Sequence, residues 1–409
     1  MNFDDTPDEA AWRDRVATFI AEHRGQLATF AEGRGRGGDL ARARQSQATL
    51  YDGGFVGVTW PKDVGGQGGT PMQQSIVDQE MSRAKVPVHI GTIGIGMCGP
   101  TVIAHGSDDQ KRRYLTRLLR ADDIWCQLFS EPASGSDLAG LRMKAVRDGD
   151  HWRVNGQKVW TTQAHIADYG ILLTRTDPDL AKHRGLTMFV VDMSAPGVTV
   201  RPLRQMSGHA DFNEVFFDDV VIPDSERLGD VNDGWRVALT TLMSERLSLG
   251  GGGTDIGVGI ASIVEHVRDR IGALPPDRQA LVRQDFGRAY VASLAIRYTG
   301  YRQLSAISQG RMPGPEASAG KLAGTRTARA LADLSVRLLG DDAVYAALLD
   351  GTSTWPDSQA SLPGLAIAGG TDEILRNILG ERVLGLPAEP RADKGVTFAQ
   401  SLGPAGGNR

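Results

Sequence analysis

Apolar positions along the chain change their period twice, near residues 122 and 235, giving a helical, an extended and a second helical part. From residue 8, Trp12, Val16, Phe19, Ile20 and His23 recur at helical spacing, with acidic residues ahead of them as a helix N-terminus prefers. Asp108-Asp-Gln-Lys-Arg-Arg-Tyr-Leu opens another amphipathic helix. Gly53 to Thr70 is glycine-rich and contains Trp60-Pro-Lys-Asp-Val-Gly-Gly-Gln-Gly, which predicts a long interhelical loop.

From about Ile124 alternation replaces the helical period. His151-Trp-Arg-Val-Asn-Gly-Gln-Lys-Val-Trp has the pattern of a hairpin, with its turn expected at Asn155-Gly156. Gly170–Arg175, Leu186–Asp192, Val198–Arg201 and Asn213–Pro223 read as further strands. Short strands joined by turns predict a compact β-domain of barrel type. After Gly229–Trp235 the helical pattern returns until about Leu386. Gly250-Gly-Gly-Gly253 interrupts it at a cost of about 1 kcal/mol per glycine relative to alanine. The run marks either the close approach of a ligand or helix, or a local helix break. Gly403–Arg409 reads as a frayed tail.

A chain of 409 residues is long enough for two or three domains. Apolar content is 41%, charged content 23% and formal net charge −4, so no basic excess points to nucleic acid. No apolar run approaches the ~20 residues that span a bilayer. The acidic N-terminus lacks the basic-then-apolar order of a signal peptide. Cys98 and Cys126 are too few for a disulfide framework and have no metal-ligand spacing, so no metal site is expected. They read as buried free thiols of a protein in the reducing cytoplasm.

Two stretches carry the candidate chemistry. Gln127-Leu-Phe-Ser-Glu-Pro-Ala-Ser-Gly-Ser-Asp-Leu138 is a polar, glycine-broken loop after an apolar run; Asn155-Gly-Gln-Lys-Val-Trp-Thr-Thr162 carries a Trp and two hydroxyls. A flat aromatic cofactor needs backbone donors and hydroxyls along its polar edge and an indole against a face. Together with Trp60-Pro-Lys, Phe216-Phe-Asp-Asp-Val-Val-Ile-Pro223, Ile367-Ala-Gly-Gly-Thr-Asp-Glu-Ile374 and Glu381-Arg-Val-Leu-Gly-Leu-Pro387, these stretches make nearly the whole chain resemble the acyl-CoA dehydrogenase family. The resemblance implies an α+β multi-domain fold: an N-terminal helical domain (1–122), a middle β-barrel-like domain (123–235), a C-terminal four-helix bundle (236–388) and a tail (389–409).

It also implies FAD, with Gln127, Phe129, Ser130, Ser136, Trp160, Thr161, Thr162, Gly370 and Thr371 as its binding residues. Phe129 and Ser130 would bond the pyrimidine edge, Trp160 would lie near the ring and Thr162 would reach the N5 side. Ser136 falls where the family contacts the phosphopantetheine arm or the cofactor phosphates. Gly370 and Thr371 would approach the cofactor closely, as a residue without Cβ allows.

The family's reaction removes an α-proton from an acyl thioester while the β-hydride passes to the flavin, giving the trans-2-enoyl product. Many members place the base just before the Gly-Thr pair of the C-terminal motif, and here that position is Gly369. A second family location lies on the first long bundle helix, before an Arg, and this chain has Met243-Ser-Glu245-Arg246 there. Glu245 is thus the expected base, sharing a helical face with Thr241, Leu242, Ser248, Leu249 and Gly252. Met243, Arg246, Gly369 and Ser136 are expected on the substrate side, with Arg246 ordering the site.

The family's Arg-x-x-Phe-Gly motif is missing from His266-Val-Arg-Asp-Arg-Ile-Gly. Arg283-Gln-Asp-Phe286-Gly holds the letters in another register, so the pyrophosphate role is not carried to Arg283. The adenosine-side motif is eroded in Leu338-Leu-Gly-Asp-Asp-Ala-Val. These departures resemble a bacterial branch acting on bulky acyl groups, sterol side chains included, some of whose members form α2β2 heterotetramers. The implied partners are an acyl-CoA, an electron-transfer flavoprotein and either copies of this chain, as a dimer or tetramer, or a homologous subunit. Two alternatives stay open: a flavin oxidase or monooxygenase on the same fold, and a non-catalytic subunit of a heteromeric dehydrogenase.

Overall fold

Three of the N-terminal helices begin on reciprocal side-chain caps. In a computed structural model of the chain, which describes residues 4–28, 39–250, 260–311, 314–340, 354–390, 393 and 395–402, Thr6, Thr70 and Ser107 close capping boxes with Glu9, Gln73 and Gln110. These start α1 (Pro7–Glu22), α3 (Pro71–Arg83) and α5 (Asp108–Arg120), each cap contributing about 1 kcal/mol. Val16 and Ile20 of α1 are buried, and Trp12 and Phe19 pack at the edge of the same core. The loop from α2 (Leu40–Asp52) to α3 buries Trp60. A Cβ on Gly99 would lie 2.0 Å from the Trp60 ring, so only glycine lets α4 (Gly99–His105) start there.

The chain forms two compact units, one of Met1–Arg204, Ala210–Glu245 and Glu389–Arg409, the other of Gln205–His209 and Arg246–Ala388. In the first, an eight-stranded sheet follows the helices. Its strands are β1 (Trp125–Leu128), β2 (Lys144–Asp148), β3 (His151–Thr162), β4 (Tyr169–Arg175), β5 (Leu186–Asp192), β6 (Val198–Leu203), β7 (Phe212–Pro223) and β8 (Arg227–Leu228). The order is β6-β7-β3-β2-β4-β5-β8, with β1 parallel to β4, and the path is open at β6 and β8. Tyr114 of α5 meets Trp125 of β1 edge to face at 5.1 Å, joining helices and sheet in one core.

The hairpin turn differs from expectation. β3 runs unbroken through Asn155-Gly156, and the chain reverses at Gly149-Asp150, between β2 and β3. Asn155-Gly156 instead makes a register shift against β7. Gly156 has φ +147°, and a Cβ there would lie 3.0 Å from Met143; the Asn155 carboxamide oxygen accepts the Asp219 N–H at 2.8 Å. The residue pair that favours a tight turn also suits a bulge, and packing against Met143 selects the bulge.

In α6 (Gly234–Gly250) the side chain of Arg246 and those after it lie outside the described residues, as does the rest of the glycine run, Gly251–Gly253. The second unit is helical: α7 (Ile260–Ile271), α8 (Pro276–Ser308), α9 (Ser318–Leu339), α10 (Thr354–Leu365) and α11 (Asp372–Arg382). Helix α9 touches the other four, packing Leu331, Leu334 and Leu338 on Ile263, Val267 and Ala289. Arg283 is exposed on α8, and the adenosine-side region is described only to Gly340. The expected architecture of helices, sheet and helices is therefore present. Both cysteines are buried and free. Among the described residues no helix is long and apolar enough to cross a membrane, and no group of His, Cys, Asp or Glu could hold a metal.

The segment after α3 carries His89, whose Nδ1 is buried without a partner. Burial pushes its pKa down to about 4. The unfolded chain then takes up this proton first, near the ordinary imidazole value of about 6.5. Stability present above that value is lost as pH falls towards 4. Urea midpoints at pH 7 and pH 5 should differ more for the native chain than for His89→Leu; equal differences would remove His89 as a source of acid sensitivity.

Candidate active site

A buried ion pair shapes the loop after β1. Lys158 of β3 is fully buried and donates to the Phe129 carbonyl at 2.9 Å and to the Glu131 carboxylate at 3.0 Å. Burial lowers the ammonium's pKa, and Glu131 opposes that shift. Glu131 also accepts the N–H groups of Arg142 and Met143 at 2.7 and 2.9 Å, so its carboxylate ties the two ends of the loop together. The Ser130 carbonyl accepts the Val159 N–H at 2.9 Å. With these carbonyls engaged, the Ser130 hydroxyl makes no hydrogen bond among the described residues. Gln127 is half-buried in β1, Phe129 is buried and Ser136 is exposed at the loop's tip.

Strand β3 meets this loop through a second register break, between Lys158 and Thr161 against β7. The bulge puts Trp160 at φ +59° and leaves its indole 61% exposed, with the Phe212 ring edge-on at 6.0 Å. A β-bulge re-aims a side chain in this way. Such exposure is unusual for the largest apolar side chain. Thr161 is buried with its hydroxyl unpartnered, and Thr162 is half-buried beyond it. An outward indole, an orphan hydroxyl and the free Ser130 hydroxyl suit a flat ring with a polar edge.

Glu245 is half-buried on α6. One turn earlier Thr241 is buried and shares a 2.8 Å hydrogen bond with Thr101 of α4. His105 meets the Thr240 hydroxyl at 2.8 Å. Burial, and then the Arg236 guanidinium, lower the His105 pKa, so it meets Thr240 as a neutral ring near pH 7. The helix is thus fixed to the N-terminal helices just before Glu245, and Met243 beside it is exposed.

Gly369, Gly370 and Thr371 belong to the second unit. Gly369 and Gly370 have φ +65° and +89°, and the Thr371 hydroxyl caps α11 by accepting the Ile374 N–H. Lys321 donates to the Gly370 carbonyl at 3.0 Å. Two successive left-handed residues favour glycine and disfavour a side chain at 369.

Lys158 and Glu131 lie within the expected loop and strand, but no family role points to them. The one available signal was a lysine in a strand where an inward residue was due.

Models of the acyl-CoA dehydrogenase N-terminal, middle and C-terminal domains match residues 6–122, 126–220 and 232–384. The chain is 38% identical over 386 residues to acyl-CoA dehydrogenase FadE34 of Mycobacterium tuberculosis, covering 93% of this chain and 51% of that one, and so spans about half that relative's length. It is 35% identical over 395 residues to acyl-CoA dehydrogenase IpdE1 of the same organism, covering 92% and 99%. A solved structure described as "Tcur3481-Tcur3483 steroid ACAD" is similar with a TM-score of 0.81 and 28% identity, over 95% of this chain and 100% of that one. The chain belongs to the acyl-CoA dehydrogenase family, whose members are flavoprotein oxidoreductases.

Replacing Lys158 by Met leaves the Glu131 carboxylate buried and unpaired, which costs about 3–5 kcal/mol. The denaturant midpoint should fall accordingly, and Lys158→Met with Glu131→Gln should recover part of the loss. An unchanged midpoint in the single variant would remove the pair as the loop's anchor.

Proposed function

We propose that this chain is an FAD-dependent acyl-CoA dehydrogenase that oxidises an acyl-CoA thioester to its trans-2-enoyl form, with Glu245 as the base. The observation that carries this reading is the presence, in one unit, of the Phe129–Trp160 arrangement and a half-buried carboxylate on a fixed helix. FAD, when bound, supplies the acceptor for the hydride that leaves Cβ.

The chain's own residues do the rest. Phe129 and Ser130, with Gln127 behind them in β1, present polar groups to the ring's edge. Trp160 offers an indole face, and Thr161 and Thr162 offer hydroxyls. Gly370 and Thr371 are assigned to the cofactor through the family motif. Glu245 as a carboxylate takes the Cα proton, from a helix that the Thr241–Thr101 hydrogen bond holds one turn earlier. Ser136 orients the thioester arm. Met243, Arg246 and Gly369 are assigned to the substrate side through the family resemblance, Arg246 as the residue that orders the site.

The left-handed backbone at Gly369 supports moving the base to α6, because a carboxylate at 369 would need a strained backbone. Electrons leave to an electron-transfer flavoprotein. The pairing of two polypeptide names in the similar steroid ACAD structure supports a homologous partner subunit and a bulky acyl group.

Glu245→Gln should keep bound FAD and lose turnover by about 10²–10⁴-fold, the usual range for a positioned general base. Anaerobic titration with acyl-CoAs, followed by flavin absorbance, tests both claims. Normal turnover in the variant would sink Glu245 as base. No bleaching of the native protein by any thioester would sink the dehydrogenase reading.

A further inference from the structure

The chain's last described segment lies beyond the residues matched by the family's domain models and returns to the first unit. Thr397 opens a short helix, α12 (Phe398–Ser401), with a capping box closed by Gln400. The backbone N–H groups of Phe398 and Ala399 donate to the carbonyls of Leu180 and Pro178 at 2.8 and 2.9 Å. The Phe398 ring is buried and carries the Arg175 guanidinium on its face, 3.8 Å from the centroid. Asp393 pairs with Lys182.

Arg175 and Lys182 both reach the loop that bears Ser136. Arg175 donates to the Ala139 carbonyl at 2.5 Å and, more weakly, to that of Leu141 at 3.4 Å. Its other terminal nitrogen donates to the Lys182 carbonyl at 2.8 Å. Lys182 also pairs with Asp137 at 2.9 Å, next to Ser136. Leu180 in turn walls a cleft of about 500 Å³ together with Arg184, Asp233 and Arg236, of which Arg236 is paired with Asp233 at 2.5 Å. The segment therefore grips both the ligand loop and the connection that borders this cleft.

We propose that Asp393 and the segment Gly395–Ser401 act as a positioning strap: Phe398 on Arg175 and Asp393 on Lys182 hold the Ser134–Leu141 loop in the shape that receives the CoA moiety. This rests on the thioester reading above. Phe398 touches neither substrate nor cofactor and acts through Arg175. Without the ring, Arg175 loses its stacking partner, and the Ala139 and Leu141 carbonyls lose a fixed donor.

The test uses the full-length chain and two readouts, amide hydrogen exchange and calorimetric titration with coenzyme A. Phe398→Ala should speed exchange at the Gly140 and Leu141 amides, which bond within the loop to Asp137 and Leu138, while the β4–β5 ladder stays protected. Its affinity for coenzyme A should fall about tenfold, which lies between the value of an exposed and that of a desolvated cation–π contact. Phe398→Tyr, which keeps the ring, should restore both readouts. Asp393→Asn should give the same changes in smaller measure, and it serves if Phe398→Ala does not fold. Unchanged loop exchange, or unchanged affinity where the native chain binds coenzyme A, overturns the strap and leaves the thioester reading standing. Failure of the native chain to bind coenzyme A overturns that reading and the strap with it.

Discussion

A single ammonium, out of reach of water, holds strand β3 and the loop after β1 in place. Taking Lys158 and Glu131 from solvent costs several kcal/mol per ion, and only their mutual attraction with well-placed hydrogen bonds offsets this. Both conditions are met: the ammonium has the Phe129 carbonyl as well as the carboxylate, and the carboxylate has two backbone N–H groups as well as the ammonium. Neither partner tolerates loss of the other. Strand β3 and the loop after β1 are therefore one mechanical piece, and the Trp160 bulge takes its position from the same strand.

The second constraint lies in backbone conformation. The two left-handed glycines at 369 and 370 precede Thr371, the N-cap of α11, and leave little scope for a side chain at 369. A carboxylate on α6 meets no such obstacle. That helix is held to α4 by a buried pair of threonine hydroxyls, and Glu245 follows one turn later on the same face. The sequence departure at 369 and the local geometry on α6 both support the proposal of Glu245 as base.

Local chemistry was readable wherever the deciding partner was close in the chain. The caps at Thr6, Thr70 and Ser107 each need a residue three positions on, and the strand alternation needs only its own period. The bulge at Asn155-Gly156 was not readable. Its local signal is shared by a turn, and Met143 on the neighbouring strand decides between them. The role of Lys158 is hidden for a similar reason, since nothing nearby in sequence announces a buried carboxylate.

The amino-acid sequence by itself determined the order of helices, sheet and helices, the family, and the residue types available to a flavin and to a base. Those follow from periodicity and motif spacing, which are local properties. Tertiary structure alone decided which of those residues are held, and by what. Glu131 reaches Lys158, Thr101 reaches Thr241, and Phe398 comes back to Arg175, all between segments far apart along the chain. A buried charge or hydroxyl takes whichever partner folding brings near it, and that choice depends on packing of the whole unit.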